Sequence, residues 1–208
     1  MNLFFLAIAA LFSVMNPLGT VPVFLSLTKE KTRNEIKSIA FYTSLNVFII
    51  LLISFFLGKY LLIFFGISIQ SLKIAGGMII TTSGFALLTG SFTKHKGMKK
   101  SMEADASKRS DITLTPLAIP MLAGPGTISL LITYNQEYNK MMEILILSSA
   151  MLSISVLIFF ILRSSNLIVK FLGASGLNAL SRIIGFIVIA IGVEYILSVI
   201  IQLLKQIN

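Results

Sequence analysis

The sequence has no cysteine and no tryptophan, only five prolines, and little charge: 12% of its 208 residues are Asp, Glu, Lys or Arg. A soluble domain carries about 25%. The missing cysteines exclude thiol catalysis, disulfide scaffolds and thiolate zinc sites. The shortage of charge excludes a disordered chain and a soluble globular enzyme. What is present is apolar: 56% of residues are hydrophobic, 16 are phenylalanine, and the mean hydropathy is +0.94. Crossing a bilayer takes about 20 apolar residues per helix, so roughly six crossings fit this length with short connections. The net charge of +9 lies between apolar runs. That placement points to a membrane face and anionic lipid rather than to nucleic acid.

Six apolar segments are predicted: Leu3 to Leu27, then about Ile39 to Leu57, Leu72 to Gly90, Ile112 to Tyr134, Ile144 to Leu162 and Ile183 to Leu204. Leu61 to Ser68 is apolar but too short to span, and is expected at the interface or capping a helix. A cleaved signal peptide is not expected for the first segment. Met1 to Ala10 holds no Lys or Arg, and the apolar run continues through Pro17 and Pro22. Basic residues then set an orientation. Thirteen of the 17 fall in alternate connections, among them Lys29, Lys31, Arg33, Lys37, Arg163, Lys170 and Arg182, against Lys59, Lys73, Lys140 and Lys205 on the other side. The positive-inside rule puts the larger set in the cytoplasm and both termini outside. The stretch 91–111 is the one long polar linker. It divides the chain into 1–90, a first three-helix unit, and 112–208, a second.

The two units resemble each other. Asn16-Pro17-Leu18-Gly19-Thr20 matches Gly124-Pro125-Gly126-Thr127, and Phe65-Gly66-Ile67-Ser68 matches Leu172-Gly173-Ala174-Ser175. Leu72 to Gly76 matches Ser181 to Gly185, all at offsets of 107 to 109. Three spans per unit turn the second unit upside down relative to the first, a common plan for secondary transporters. The predicted fold is an all-α membrane protein of six helices in two inverted three-helix repeats.

All five prolines fall in the first and fourth segments: Pro17 and Pro22, then Pro116, Pro120 and Pro125. Proline removes a donor and clashes with the preceding turn, which is costly in lipid. Both helices are therefore expected to break. Asn16 suits an N-cap and Pro17 the first helical position, and Gly124 and Pro125 take the same parts. Each break starts a half-helix whose free N–H groups and positive dipole end can hold a carboxylate. Gly19 and Gly126 loosen the backbone there, and the hydroxyls of Thr20 and Thr127 sit in the first turn. A single Pro-Gly site would read as a packing kink. Two at matching positions, holding every proline, favour a binding site: Asn16, Pro17, Gly19, Thr20, Gly124, Pro125, Gly126 and Thr127.

Glu194 is the only acid deep inside an apolar run, where ionisable groups are expensive and often functional. Its candidate role is coupling to H+ or Na+, weighed against a neutral carboxyl hydrogen-bonded to another helix. Asn46 is a secondary candidate, more readily an interhelical hydrogen bond than a substrate contact. Thr81, Thr82, Ser83 and Gly84 read as close helix packing. Lys73 and Arg182 open equivalent helices and are expected to snorkel to opposite interfaces. His95 reads as solvated. The sequence shows no metal-ligand cluster, catalytic triad, glycine-rich phosphate loop or Walker motif. It reads as a non-enzyme without cofactor or metal.

Val14-Met15-Asn16-Pro17-Leu18-Gly19-Thr20-Val21-Pro22-Val23-Phe24 resembles the opening motif of the MarC family, also called the neutral amino acid transporter family. Phe64 to Ser68 followed by Lys73 to Gly77 is similar to its second motif, Pro116 to Ile128 to its third, and Arg182-Ile183-Ile184-Gly185 to its fourth. The resemblance spans nearly the whole chain. It implies a six-span inner-membrane protein of bacteria or archaea that moves small neutral amino acids such as glycine and alanine. Where this chain has Glu194, a neutral polar residue such as glutamine is expected from the family.

The leading expectation is a secondary transporter working by alternating access around the two breaks. The solute carboxylate would meet the half-helix starts, and its ammonium the carbonyls near Met15 and Ala123. A passive channel with re-entrant Asn-Pro and Gly-Pro hairpins is the second reading, and the charge bias permits it as well. A membrane scaffold that transports nothing is the third.

Overall fold

The computed structural model describes residues 3–90 and 112–207; the predicted linker at 91–111, with His95, lies outside them. Among the described residues every regular element is helical. Helix α1 (Leu3–Met15) ends where the sequence dictates. Pro17 has no N–H to donate and disfavours helical backbone at the residue before it. Asn16 turns into the left-handed region (φ 46°, ψ 65°), and α2 (Pro17–Leu27) starts with the proline at its first position. Helix α3 (Arg33–Phe65) opens with a capping box: the Thr32 N–H donates to Glu35 Oε2 at 2.8 Å and the Glu35 N–H donates to Thr32 Oγ1 at 3.3 Å. It closes on Gly66 at φ 64°, a C-cap that glycine adopts without a Cβ penalty. Helix α4 (Ile69–Thr89) is capped by Ser68, whose Oγ accepts from the Ser71 N–H at 3.1 Å.

The fourth apolar segment is the least regular. Its first part, α5 (Thr113–Leu122), is loosely wound, with extended backbone at Thr115 and Ile119 and cis peptide bonds to Pro116 and Pro120. It ends in a wide turn in which the Ala123 N–H donates to the Ala118 carbonyl at 2.8 Å. Gly124 then caps α6 (Pro125–Glu137), again with proline leading. Helices α7 (Met141–Arg163) and α8 (Ser165–Ile207) complete the chain, and α8 carries a break at Gly173 (φ 67°).

Helices α3, α4, α7 and α8 are each long and apolar enough to cross a membrane. The pairs α1/α2 and α5/α6 each pass the same test together, bent by 44° and 67°. Two expected segments change in extent. Leu61 to Phe65 forms no separate element; it is the end of α3, because nothing before Gly66 interrupts the helix. The sixth segment starts earlier than Ile183: the chain is already helical from Ser165, and after the break at Gly173 the helix that carries the segment runs to Ile207.

The packing is reciprocal between the halves. α1 lies on α7 while α5 lies on α3, α2 lies on α8 while α6 lies on α4, and α3 meets α7 as α4 meets α8. The α4–α8 contact is the most extensive, and four glycines permit it. A Cβ on Gly77 would sit 2.6 Å from the Gly192 carbonyl oxygen, and one on Gly192 would sit 2.6 Å from that of Gly77. Gly84 and Gly185 stand in the same mutual relation at 2.8 Å. Gly77 and Gly185, like Gly84 and Gly192, are 108 residues apart. The spatial register thus equates Gly185 with Gly77, not with Gly76 as the sequence match suggests. The small-residue patch around Thr81 belongs to this crossing, as the packing reading expects: a Cβ on Gly192 would strike Thr81 Oγ1 at 2.3 Å.

Burial follows the breaks. Met15, Phe24, Leu117, Met121 and Leu122 are fully buried, and the middle of α6, from Ser129 to Tyr134, is enclosed. The outer faces of α3, α7 and α8 are lined with exposed Phe, Ile and Leu, the surface a lipid-embedded protein presents.

Candidate functional site

Asn16 is the centre of the first break. Its side chain is fully buried, and its Oδ1 accepts from the Gly19 N–H at 3.2 Å. This is the expected N-cap bond. Its Nδ2 is also buried and has no hydrogen-bond partner among the described residues. A buried amide donor left unmatched in this way is uncommon. Gly19 is required by this arrangement: a Cβ there would lie 2.3 Å from Asn16 Nδ2 and 3.0 Å from its Cγ. Pro17 and Thr20 are buried alongside.

At the second break Gly124 caps α6 without any side-chain acceptor, so the first-turn N–H groups of α6 receive no cap. The first regular bond of α6 is the Ile128 N–H to the Gly124 carbonyl, at 3.1 Å. The two breaks are neighbours. A Cβ on Gly126 would lie 3.5 Å from Val14 Cγ1, two residues before Asn16, and 3.1 Å from Ile80 Cγ1. This contact sets Gly126 beside the residues that lead into the Asn16 break; Gly124 and Thr127 are buried next to it, whereas Pro125 is exposed. Within this group the threonines face their own backbones: Thr20 Oγ1 donates to the Asn16 carbonyl at 3.4 Å and Thr127 Oγ1 to the Leu122 carbonyl at 3.3 Å. They fill backbone acceptors left free by the bends.

The two other candidates lie elsewhere. Asn46 Nδ2 donates to Thr113 Oγ1 at 3.1 Å, tying α3 to the start of α5, which is the interhelical role weighed for it. Glu194 is on the exposed face of α8, beside the exposed Val193 and Leu197. It does not border either break. Hydropathy locates Glu194 along the helix and is silent about which way it faces, because every side of a lipid-embedded helix is apolar.

The two ends of the molecule differ. At the end where α4 begins, Lys73 is ion-paired to Glu137 at the end of α6. Below it the Ser129 hydroxyl donates to the Leu72 carbonyl at 3.3 Å, at a spot where Gly76 has no room for a Cβ. The α4–α6 interface is closed. The corresponding α2–α8 interface holds a cavity of about 340 Å³. Its walls include Gly19, Thr89, Asn178, Ser181 and Arg182, so it reaches the first break. The sequence reading missed this cavity. Asn178 and Ser181 are polar residues in an apolar run, and that was the available signal.

Paired, buried helix breaks inside a shell of apolar spans define a multi-span α-helical integral membrane protein. The family model for MarC family integral membrane proteins matches residues 1–204, and the chain belongs to that family. A UPF0056 membrane protein of Buchnera aphidicola (subspecies Schizaphis graminum) is 34% identical over 193 residues, covering 93% of this chain and 88% of the relative. The UPF0056 membrane protein YhcE of Escherichia coli K12 is 34% identical over 188 residues, covering 90% and 87%. The UPF0056 inner membrane protein MarC of Salmonella typhimurium LT2 is 31% identical over 209 residues, covering 96% and 95%. No solved structure matches the chain.

Proposed function

We propose that this protein is a secondary transporter of small neutral amino acids, of glycine or alanine size, in the inner membrane. The solute sits between the two helix breaks. One observation carries the reading: the buried Asn16 amide at the first half-helix start has no acceptor among the described residues, and the second half-helix start packs nearby through Gly126 and Val14. Positive helix ends and a free N–H donor suit a carboxylate. The ammonium of the zwitterion meets the carbonyls that the breaks release near Met15 and Ala123. The crowding at Gly126 leaves no space for a large side chain.

Reciprocal packing supports two inverted repeats with six crossings. Bends of 44° and 67° fall well short of the reversal a re-entrant hairpin needs, which favours broken spans over the channel arrangement. One of two equivalent interfaces is closed and the other holds a cavity, as alternating access requires of a single state. The bias of basic residues favours a cytoplasmic cavity end, with the termini outside. The printed name of the Salmonella relative supports the inner membrane. Coupling to H+ or Na+ is part of the proposal, and Glu194 is its candidate group. The test is uptake of labelled glycine into proteoliposomes, with and without a proton gradient. Saturable uptake, enhanced by the gradient, supports the reading; uptake equal to that of protein-free vesicles refutes it.

A further inference from the structure

The cavity between α2 and α8 contains chemistry that the breaks alone do not supply. It encloses about 340 Å³, room for a small solute with some water, and is walled by Gly19 on one side and Asn178, Ser181 and Arg182 on the other. Among the described residues Arg182 bears its only fixed charge: the other lining residues are apolar or neutral polar. An arginine that merely snorkels lies along lipid headgroups. Arg182 is itself exposed, yet it shares a cavity wall with Gly19, whose missing Cβ leaves the place taken by the Asn16 amide. A guanidinium thus lines the cavity, and the buried Asn16 amide, unmatched among the described residues, lies behind Gly19 in its wall. Both are donors, and guanidinium binds carboxylate through two parallel N–H bonds.

We propose that this cavity is a carboxylate-binding vestibule. Arg182 takes the anionic end of a small solute there and passes it to Asn16 and the N-terminal turn of α2. This deepens the transport reading and rests on it for the second half of the path. It assigns Arg182 a binding role confined to one side of the membrane. At the closed end the equivalent cation, Lys73, is already paired with Glu137. In this state, carboxylate binding belongs to the Arg182 side alone.

The chain has no cysteine, so one introduced thiol reports on the cavity without background. Asn178→Cys in the purified full-length protein is treated with an anionic and a cationic methanethiosulfonate of similar size, each rate being normalised to that of a free thiol. The vestibule predicts that the anionic reagent is favoured about tenfold, and that Arg182→Gln brings the ratio close to one. Arg182→Lys keeps most of the preference, which guards against a glutamine variant that fails to fold. Acetate and glycine at millimolar concentration slow the anionic reaction, and glycinamide, which has no carboxylate, does not. Equal rates for the two reagents in the presence of Arg182, or an unchanged ratio in Arg182→Gln, overturn the proposal. A protein that shows the preference and acetate protection yet exchanges no glycine keeps the vestibule and loses the transport reading.

Discussion

At the scale of single residues, the account rests on Asn16. Its Oδ1 caps α2 through Gly19, and its buried Nδ2 has no partner among the described residues. An N-cap is worth about 1 kcal/mol, which is roughly a fivefold change in a binding constant. Asn16→Ala is expected to raise the KM for glycine at least fivefold with smaller loss of maximal rate, measured by initial rates of uptake; an unchanged KM would mean that the cap plays no part in binding. Gly19→Ala acts on the same group from the other side, since its Cβ displaces the Asn16 amide. Glu194 is the contrasting case. On the exposed face of α8 it meets neither break. Glu194→Gln is expected to leave glycine counterflow intact. Gradient-driven uptake measured beside it decides whether Glu194 takes part in coupling: loss of the gradient effect assigns it that role, and unchanged uptake places coupling elsewhere. The identity of these residues was readable from the sequence, but their surroundings were not. An asparagine before a proline announces a cap, whereas the direction of one carboxyl around a uniformly apolar helix leaves no trace in hydropathy.

At the scale of elements, proline placement was the most informative signal. Proline cannot be hidden in a lipid-exposed helix, so five prolines in two segments predicted two broken helices, and α1/α2 and α5/α6 are the bent pairs. The irregular winding of α5 was not foreseen, because the four-residue spacing of Pro116 and Pro120 interrupts each turn before it can become regular. Nor was the helical stretch before Ile183, which the break at Gly173 divides from the helix that carries the sixth segment. The glycine crossing of α4 and α8 was also hidden. The spacing from Gly77 to Gly84 recurs from Gly185 to Gly192, yet only the structure shows that the two pairs face each other. That crossing holds the halves together and tolerates no side chain. Gly192→Val is expected to cost about 1–3 kcal/mol, as overpacking does. Thermal unfolding in detergent should therefore show a midpoint several degrees lower, and an unchanged midpoint would mean that the helices can part without loss.

At the scale of the whole molecule, the two ends are chemically related but in different states. The α4–α6 interface is shut by Lys73 and Glu137 and by Ser129 against Gly76, while the α2–α8 interface encloses a cavity beside Arg182. If the halves exchange conformations during transport, the Lys73–Glu137 pair must open. Lys73→Gln is expected to speed labelling of an introduced Ser129→Cys by a membrane-impermeant maleimide added to the outer face. Labelling at the original rate would show that the pair is ornamental to closure. The central claim is that the paired breaks carry a solute across by turns rather than conduct it. Glycine counterflow tests this most directly. Proteoliposomes loaded with unlabelled glycine are diluted into a trace of labelled glycine, and the internal label is followed over time. The account predicts a transient accumulation of label above its external level, abolished by Gly19→Leu and by Gly126→Leu. Equilibration without an overshoot, or an overshoot untouched by both substitutions, would contradict it.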